Sequence, residues 1–164
     1  KDKNELKKLE QMHTLGKLNF DSVVVLDFGE RLKSVLTSFV FSDVSSDRVI
    51  FFTINQWFDE TFFNESAMQN LYFPSINFKN FKKFNKKFSK TYNEKPNKVS
   101  ILGYDALGLI YYCWSKNNFN FKRELLYNKK GFKGLHGEFI IEDNITRQNL
   151  NIYKVSEKKF IKVY

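Results

Sequence analysis

The side chains best suited to binding a small molecule follow two strongly apolar segments. Asp27 and Phe28 come directly after a run of four aliphatic residues, and Asn55, Gln56 and Trp57 follow a second apolar run. A carboxylate can pair with an ammonium group, amides can donate and accept hydrogen bonds, and an indole ring can form an apolar or cation–π wall. Trp57 could equally serve only as packing. We call these five residues the strand-end group, and they are the candidate ligand-binding residues.

Residue types that commonly carry catalysis or hold metals are scarce. Cys113 is the single cysteine, which excludes an internal disulfide and a multi-thiolate zinc site, and its apolar surroundings predict a buried thiol. His13 and His136 lie far apart and are expected to be surface residues rather than bases. Asp105 is expected to lie at the start of a helix, where its negative charge interacts favourably with the helix N-terminus. We therefore predict a non-enzymatic protein with no catalytic residue, no metal and no cofactor.

Three glycines at three-residue spacing, Gly131, Gly134 and Gly137, do not match a dinucleotide-binding loop. Such a loop must follow a strand and open a helix, whereas these glycines follow a predicted helix and precede a predicted strand. They therefore predict a turn-rich approach to a β-hairpin. The strands of that hairpin are expected over residues 138–142 and 149–155, around a turn at residues 143–144.

The net charge of +9 admits anionic partners. Lysines account for 23 of the 27 cationic residues, and the chain has only two alanines, so a compositional bias explains the charge better than a selected anionic partner does. Phosphate recognition favours arginine, so a nucleic-acid-binding module is a weak third function class, supported by charge and aromatic content alone. No nucleic acid is therefore among the expected partners.

One predicted helix, over residues 77–92, separates aromatic from cationic residues. Its aromatic stripe, predicted to lie in the core, comprises Phe78, Phe81, Phe84, Phe88 and Tyr92. Six lysines lie off this stripe, and four of them define what we call the lysine face: Lys79, Lys83, Lys86 and Lys90. This face is either a solvated helix surface or a docking surface for an anionic partner.

The apolar pattern of the sequence predicts the strands and helix that would position the strand-end group. Residues 23–26 and 49–54 form continuous apolar runs, which predict strands buried on both faces, and a helix is predicted over residues 30–41 between them. Alternating strands and helices predict an α/β fold with a mostly parallel sheet. Ligands bind at the carboxyl ends of such strands, where Asp27 and Trp57 are expected.

The order of these segments resembles that of the type I periplasmic binding proteins, over Leu6 to Val163. The matching segments are Phe20–Asp27 with Gly29 (the family's "FDAV" unit), Val49–Trp57, Phe78–Tyr92 with Pro96, Gly103–Leu107 ("YDA") and Gly131–Phe139 ("GFxGxxGxF"). The resemblance implies a Rossmann-like α/β fold with a mostly parallel sheet flanked by helices and a C-terminal β-hairpin.

The resemblance also implies a fragment of a two-lobe protein, since such proteins are about twice as long or more. Residues 1–71 would belong to the second lobe. Residues 72–164 would supply a crossover followed by the helices and hairpin that complete the first lobe, whose N-terminal strands would lie outside this chain.

Two branches of the family fit. Leu26-Asp27-x-Gly29-x-Arg31-Leu32, Gln56-Trp57 and Tyr72-Phe73-Pro74 resemble lipoproteins that activate penicillin-binding proteins. That branch implies a periplasmic regulator of cell-wall synthesis, acting by protein–protein contact and held to the membrane only through a lipid anchor outside this chain. The alternative is a leucine/isoleucine/valine-type substrate-binding subunit of an ABC importer. It implies a permease partner, and an amino acid or peptide ligand held by the strand-end group.

Overall fold

The computed structural model describes residues 2–10, 18–97 and 99–164, so the expectation for His13 lies outside the described residues. The helices are α1 (Asp2–Glu10), α2 (Gly29–Phe41), α3 (Phe78–Tyr92) and α4 (Ser100–Lys116). The strands are β1 (Ser22–Val25), β2 (Ile50–Thr53), β3 (Tyr72–Ser75), β4 (Phe132–Lys133), β5 (Glu138–Glu142), β6 (Ile145–Gln148), β7 (Asn151–Ser156) and β8 (Lys159–Lys162). Short 3₁₀ helices cover Glu60–Asn64, Ser66–Met68 and Arg123–Leu126.

The chain divides into two compact units, residues 1–74 with 152–164, and residues 75–151. The sequence placed a boundary at residue 72, close to this division. It did not group the C-terminal strands with the first unit. They belong there because β7 pairs beside β3, where the Val155 N–H donates to the Leu71 carbonyl at 2.9 Å. The assignment of these stretches to two lobes stays a prediction.

The first unit is built on a five-stranded sheet in the order β1-β2-β3-β7-β8. Strands β1, β2 and β3 run parallel, with Val25 opposite Thr53, while β7 and β8 form an antiparallel hairpin. Helix α2 connects β1 to β2 and buries Leu32 and Leu36 completely. The predicted α/β architecture with its parallel strand–helix–strand unit is confirmed.

The prediction that β1 and β2 are buried on both faces was wrong for this chain. Phe51 packs against Phe39 of α2 with ring centroids 5.5 Å apart, so α2 covers the face to which Phe51 points. The next residue, Phe52, points to the opposite face and is exposed, as is Val24 on β1. Continuous apolar runs are typical of strands that are covered on both faces. Within the described residues only the face of β1 and β2 that packs against α2 is covered.

Aromatic rings hold the β3, β7 and β8 part of the first sheet together. Phe58 contacts Tyr153 and Phe160, with ring centroids 4.9 and 5.3 Å apart, and Phe73 stacks on Tyr153 at 6.0 Å. These edge-to-face and stacked pairs fix β3 against the β7–β8 hairpin, and each is worth roughly 0.5–1.5 kcal/mol beyond its buried area.

The second unit contains α3, α4 and an antiparallel sheet in the order β4-β5-β6. Strands β5 and β6 are joined by a two-residue turn in which Asp143 and Asn144 adopt φ values of 51° and 61°, as a type I′ hairpin requires. The turn was predicted at these residues, but its second strand was placed at 149–155. A two-residue turn starts the partner strand at Ile145, and Asn151–Ser156 pairs in the other sheet.

Candidate functional site

The carboxyl ends of β1 and β2 place the strand-end group along one sheet edge. The parallel register sets Val25 beside Thr53, so the residues that follow each strand leave the sheet at the same end. Gln56 lies beside β3, where its main-chain N–H donates to the Pro74 carbonyl at 3.2 Å. The predicted meeting of the two segments at this edge is present in the structure.

A hydrogen-bond network joins these two strand ends. The Thr53 hydroxyl lies 2.8 Å from the Val25 carbonyl and 2.9 Å from the Asp27 carbonyl, and can donate to either. The buried Gln56 amide donates to the Asp27 carbonyl at 3.0 Å and to the Ile54 carbonyl at 3.3 Å. The Gln56 side chain therefore lies beneath the edge, where it fixes the main chain that presents Asp27.

The other members of the strand-end group lie nearer the surface. Asp27 is half-buried and its carboxylate accepts a hydrogen bond from the Phe28 N–H at 2.8 Å. The Phe28 ring and Asn55 are exposed, and Trp57 is half-buried. Gly29 begins α2 with a φ of 61°, a value that glycine adopts without strain. A carboxylate, an amide and two aromatic rings thus border the same strand ends.

The lysine face has the exposure that the helical pattern predicts. Its four members, Lys79, Lys83, Lys86 and Lys90, are all exposed on α3. Asn77 caps the helix by accepting from the Lys79 and Asn80 N–H groups at 3.0 and 3.2 Å. Of the aromatic stripe, Phe84 is buried, whereas Tyr92 is exposed and was wrongly expected in the core; its ring contacts Phe88 at 4.6 Å.

The second unit contains a buried carboxylate–imidazole pair that the sequence analysis missed. Asp105 accepts hydrogen bonds from the Leu135 and His136 N–H groups at 2.9 and 2.8 Å and from the His136 imidazole Nδ1. His136 is buried, with its ring stacked on Phe139 at 5.2 Å, so its assignment to the surface was wrong. Asp105 lies six residues into α4, too far from the helix start to act on it.

The environment of Asp105 favours its charged form. Burial alone would raise the pKa of this carboxyl, but the hydrogen bonds from His136 and Leu135 outweigh that effect and hold the pKa below its usual range. The sequence signal for the pair was the "YDA" segment taken together with the glycine segment 131–137. Neither segment alone reveals a contact between residues 31 positions apart.

A cavity of about 540 Å³ opens beside this pair within the second unit. Its wall includes Tyr104, Tyr112, Phe132 and Leu135 together with Asp105. Gly134 also borders it, and a Cβ atom at that position would lie 2.7 Å from the Asp105 Cγ. Cys113 is buried on α4, as expected, and burial raises the pKa of its thiol. Among the described residues no cluster of three or more potential metal ligands occurs.

No protein-family model matches the chain, and no curated protein matches it. Solved structures do. An extracellular ligand binding receptor from Desulfohalobium retbaense DSM5692 superposes with a TM-score of 0.61 at 17% identity, over 87% of this chain and 26% of that one. A putative branched-chain amino acid ABC transporter from Rhodospirillum rubrum superposes with a TM-score of 0.61 at 12% identity, over 84% of this chain and 49% of that one.

The chain has the type I periplasmic-binding-protein fold. The identities are low enough that the likeness establishes the fold alone. This chain spans between about a quarter and a half of the length of these two structures. None of the described helices is both long and apolar enough to cross a membrane.

Proposed function

We propose that these residues belong to a non-enzymatic, extracytoplasmic protein that binds a small ligand at the strand-end group. The observation that carries the proposal is the convergence of Asp27 and the 55–57 segment at the carboxyl edge of a parallel sheet. Ligands of open α/β sheets bind at that edge. The names of the two similar structures, a ligand-binding receptor and an amino acid ABC transporter, support a binding protein over an enzyme.

The chemistry of the strand-end group suits an amino acid or a short peptide. The Asp27 carboxylate would pair with the ligand's ammonium group, and the Asn55 amide would bind its polar atoms. The Phe28 ring and Trp57 would form the wall for the apolar part of the ligand. Gln56 would act through the main chain of Asp27. In a two-lobe protein the second wall would come from the other lobe by hinge closure. The partner would then be an ABC importer permease in the cell envelope.

The first experiment is a thermal unfolding screen of the full-length gene product against single amino acids and short peptides. A ligand present at about 100 times its dissociation constant adds about 2.7 kcal/mol to the free energy of unfolding, a shift of several degrees. Stabilisation by one ligand class supports the proposal. The absence of a shift across the whole panel contradicts it.

Variants connect that shift to the strand-end group. Asp27→Asn and Trp57→Ala are each expected to raise the ligand's dissociation constant at least tenfold, because each removes one group that contacts the ligand. The matched controls are Asp47→Asn, another carboxylate of the first unit, and Phe41→Ala, an aromatic residue of the first unit outside the strand-end group. Both controls should leave the ligand affinity unchanged. Equal loss in variants and controls would contradict the assignment of the site.

A second candidate function rests on the lysine face. Four exposed lysines on one helix suit an acidic protein surface, and the sequence resemblance to penicillin-binding protein activators names a class of partner. In that function the protein would be a lipid-anchored regulator of cell-wall synthesis in the periplasm. It would act by contact with a penicillin-binding protein, without closing on a ligand.

Charge reversal distinguishes this candidate from the first. The fourfold variant with Lys79→Glu, Lys83→Glu, Lys86→Glu and Lys90→Glu should abolish capture of a purified penicillin-binding protein, and under this candidate no ligand of the panel stabilises the protein. The control reverses four other lysines by the same substitution: Lys122, Lys129, Lys130 and Lys159. Capture that survives the first set, or fails equally with both, would rule out the lysine face as a specific docking surface.

A further inference from the structure

The net charge of the protein resides in one of its two compact units. The second unit, residues 75–151, contains 15 lysines and arginines against 6 aspartates and glutamates, a net charge of +9. The first unit contains 12 residues of each sign and is neutral. A compositional bias toward lysine acts on both units, and it leaves the halved number of acidic residues in the second unit unexplained. Such an asymmetry indicates that the second unit meets an anionic partner.

Helix α3 concentrates this charge on one side. On its aromatic side Phe84 is buried and contacts the Tyr104 ring of α4, with ring centroids 5.8 Å apart. The lysines of α3 recur every three or four residues on the opposite side, over about 16 Å of helix. All six are exposed: Lys79, Lys82, Lys83, Lys86, Lys87 and Lys90.

The six lysines of α3 have no carboxylate partner among the residues that the structure describes. The helix itself contains no acidic residue. Two of the amines lie over aromatic rings instead, Lys82 at 5.3 Å from the Phe78 centroid and Lys87 at 5.9 Å from that of Tyr104. Lysines four residues apart, such as Lys79 and Lys83, repel each other and destabilise a helix. Bound anions would offset this repulsion.

The type of cation favours a lipid surface over an acidic protein. Protein–protein interfaces are enriched in arginine and depleted in lysine, because the planar guanidinium binds carboxylates in a fixed bidentate geometry. Helix α3 contains six lysines and no arginine. Clusters of about four to eight cationic residues on an amphipathic helix are typical of proteins that dock on anionic phospholipids, where attraction to many headgroups needs no fixed geometry.

We propose that the six lysines of α3 dock the protein on the surface of a bilayer that contains anionic phospholipids. The contact is peripheral and electrostatic: the amines reach the headgroups, while the buried Phe84 keeps the aromatic side of α3 packed within the second unit. The proposed partner differs from the penicillin-binding protein of the second candidate function. The proposal is also independent of ligand binding at the strand-end group.

The first experiment is co-sedimentation of the full-length gene product, purified without lipid modification, with phospholipid vesicles. We expect binding to phosphatidylcholine vesicles that contain about 30% phosphatidylglycerol, and at least about tenfold weaker binding to phosphatidylcholine alone. Raising the salt concentration from about 0.1 M to about 1 M should release the protein, because the Debye length falls from about 10 Å to about 3 Å. Equal binding to both kinds of vesicle, or binding to neither, would overturn the proposal.

Neutralising variants locate the contact. Each lysine near an anionic bilayer strengthens binding about fivefold, so loss of four should lower the partition coefficient at least about 100-fold. The variant carries Lys79→Gln, Lys83→Gln, Lys86→Gln and Lys90→Gln. The matched control neutralises four exposed lysines of the first unit and has the same net charge: Lys3→Gln, Lys158→Gln, Lys159→Gln and Lys162→Gln. The control should bind nearly as well as wild type. Equal loss in both variants would show that net charge alone matters, and would overturn the proposal.

Amine acetylation of the unaltered sequence gives a measurement that does not depend on the folding of a variant. Vesicles with phosphatidylglycerol should slow acetylation of the six lysines of α3 at least about fivefold, and leave Lys158 and Lys159 of the first unit unchanged. Equal protection of both groups, or protection of neither, would overturn the proposal. So would protection of the α3 lysines by a purified penicillin-binding protein but not by vesicles, because that result assigns the helix to a protein partner.

Discussion

The carboxylate of Asp105 and the main-chain N–H of His136 are joined by a hydrogen bond of 2.8 Å across 31 residues of sequence. The imidazole of His136 and the N–H of Leu135 bind the same carboxylate. One side chain of α4 thereby holds three donors of the glycine-containing segment that leads into β5. The Asn80 amide of α3 donates to the Leu135 carbonyl at 3.1 Å and completes the attachment.

Removing the Asp105 carboxylate should destabilise the protein strongly. In Asp105→Ala the buried donors of Leu135 and His136 lose their acceptor, and we expect a loss of about 3 kcal/mol in the free energy of unfolding. Asp105→Asn retains one acceptor and should lose less. The measurement is urea unfolding, with Glu94→Ala as an exposed control expected within about 0.5 kcal/mol of wild type. Equal stability of Asp105→Ala and the control would contradict the role of this carboxylate.

The same carboxylate should make stability depend on acid pH. Because the pKa of Asp105 is lowered in the folded protein, folding favours the charged form. Its contribution is fully present above the unfolded-state pKa of about 4 and is lost as pH falls through the folded value. The difference in unfolding free energy between wild type and Asp105→Asn should therefore be constant above about pH 5 and shrink below pH 4. A difference that grows on acidification would show the opposite sign of shift.

Gly134 should tolerate no side chain. A Cβ atom there would lie 2.7 Å from the Asp105 Cγ, so Gly134→Ala must displace the carboxylate, and we expect a cost of about 1–3 kcal/mol. Gly108 on α4 is the matched control, since a Cβ atom there meets nothing within 4 Å. Gly108→Ala should be neutral or stabilise the helix by up to about 1 kcal/mol. Calorimetric melting of both variants tests the contrast, and a Gly134→Ala protein as stable as Gly108→Ala would refute it.

The sequence correctly predicted the strands, helices and turn that depend on the spacing of neighbouring residues. The apolar runs located β1 and β2, the three- and four-residue spacing located α2 and α3, and Asp143-Asn144 located the hairpin turn. Each of these signals acts over a few residues and persists in the folded chain. The strand-end group was also placed correctly at one sheet edge, because parallel pairing of β1 and β2 follows from the helix between them.

Long-range partners were not predictable from the same signals. Asp105 and His136 show no periodic relation, so a buried hydrogen-bonded pair could not be separated from two ordinary surface residues. The position of β7 beside β3 depends on packing among Phe58, Phe73 and Tyr153, which no local pattern reveals. The exposure of Val24 depends on which elements cover the sheet, and that information lies outside the strand itself.

Gln56 offers a last test, which separates support of the main chain from exposed binding groups. Its amide supports Asp27 by donating to that residue's carbonyl, an interaction shared with the Thr53 hydroxyl. Gln56→Leu should reduce the free energy of unfolding by about 1–2 kcal/mol, and Thr53→Val by a similar amount. In the double variant the Asp27 carbonyl loses both side-chain donors, so the combined loss should exceed the sum of the single losses.

The control for this test is Asn55→Ala, the exposed neighbour, which should change stability by less than about 0.5 kcal/mol. Urea unfolding of the four variants gives the coupling energy directly. Strict additivity would mean that Gln56 and Thr53 act on separate parts of the strand ends. A combined loss larger than the sum of the single losses, with no effect at Asn55, would mean that the two buried side chains together fix the main chain of Asp27. The exposed side chains would then remain free to contact a ligand.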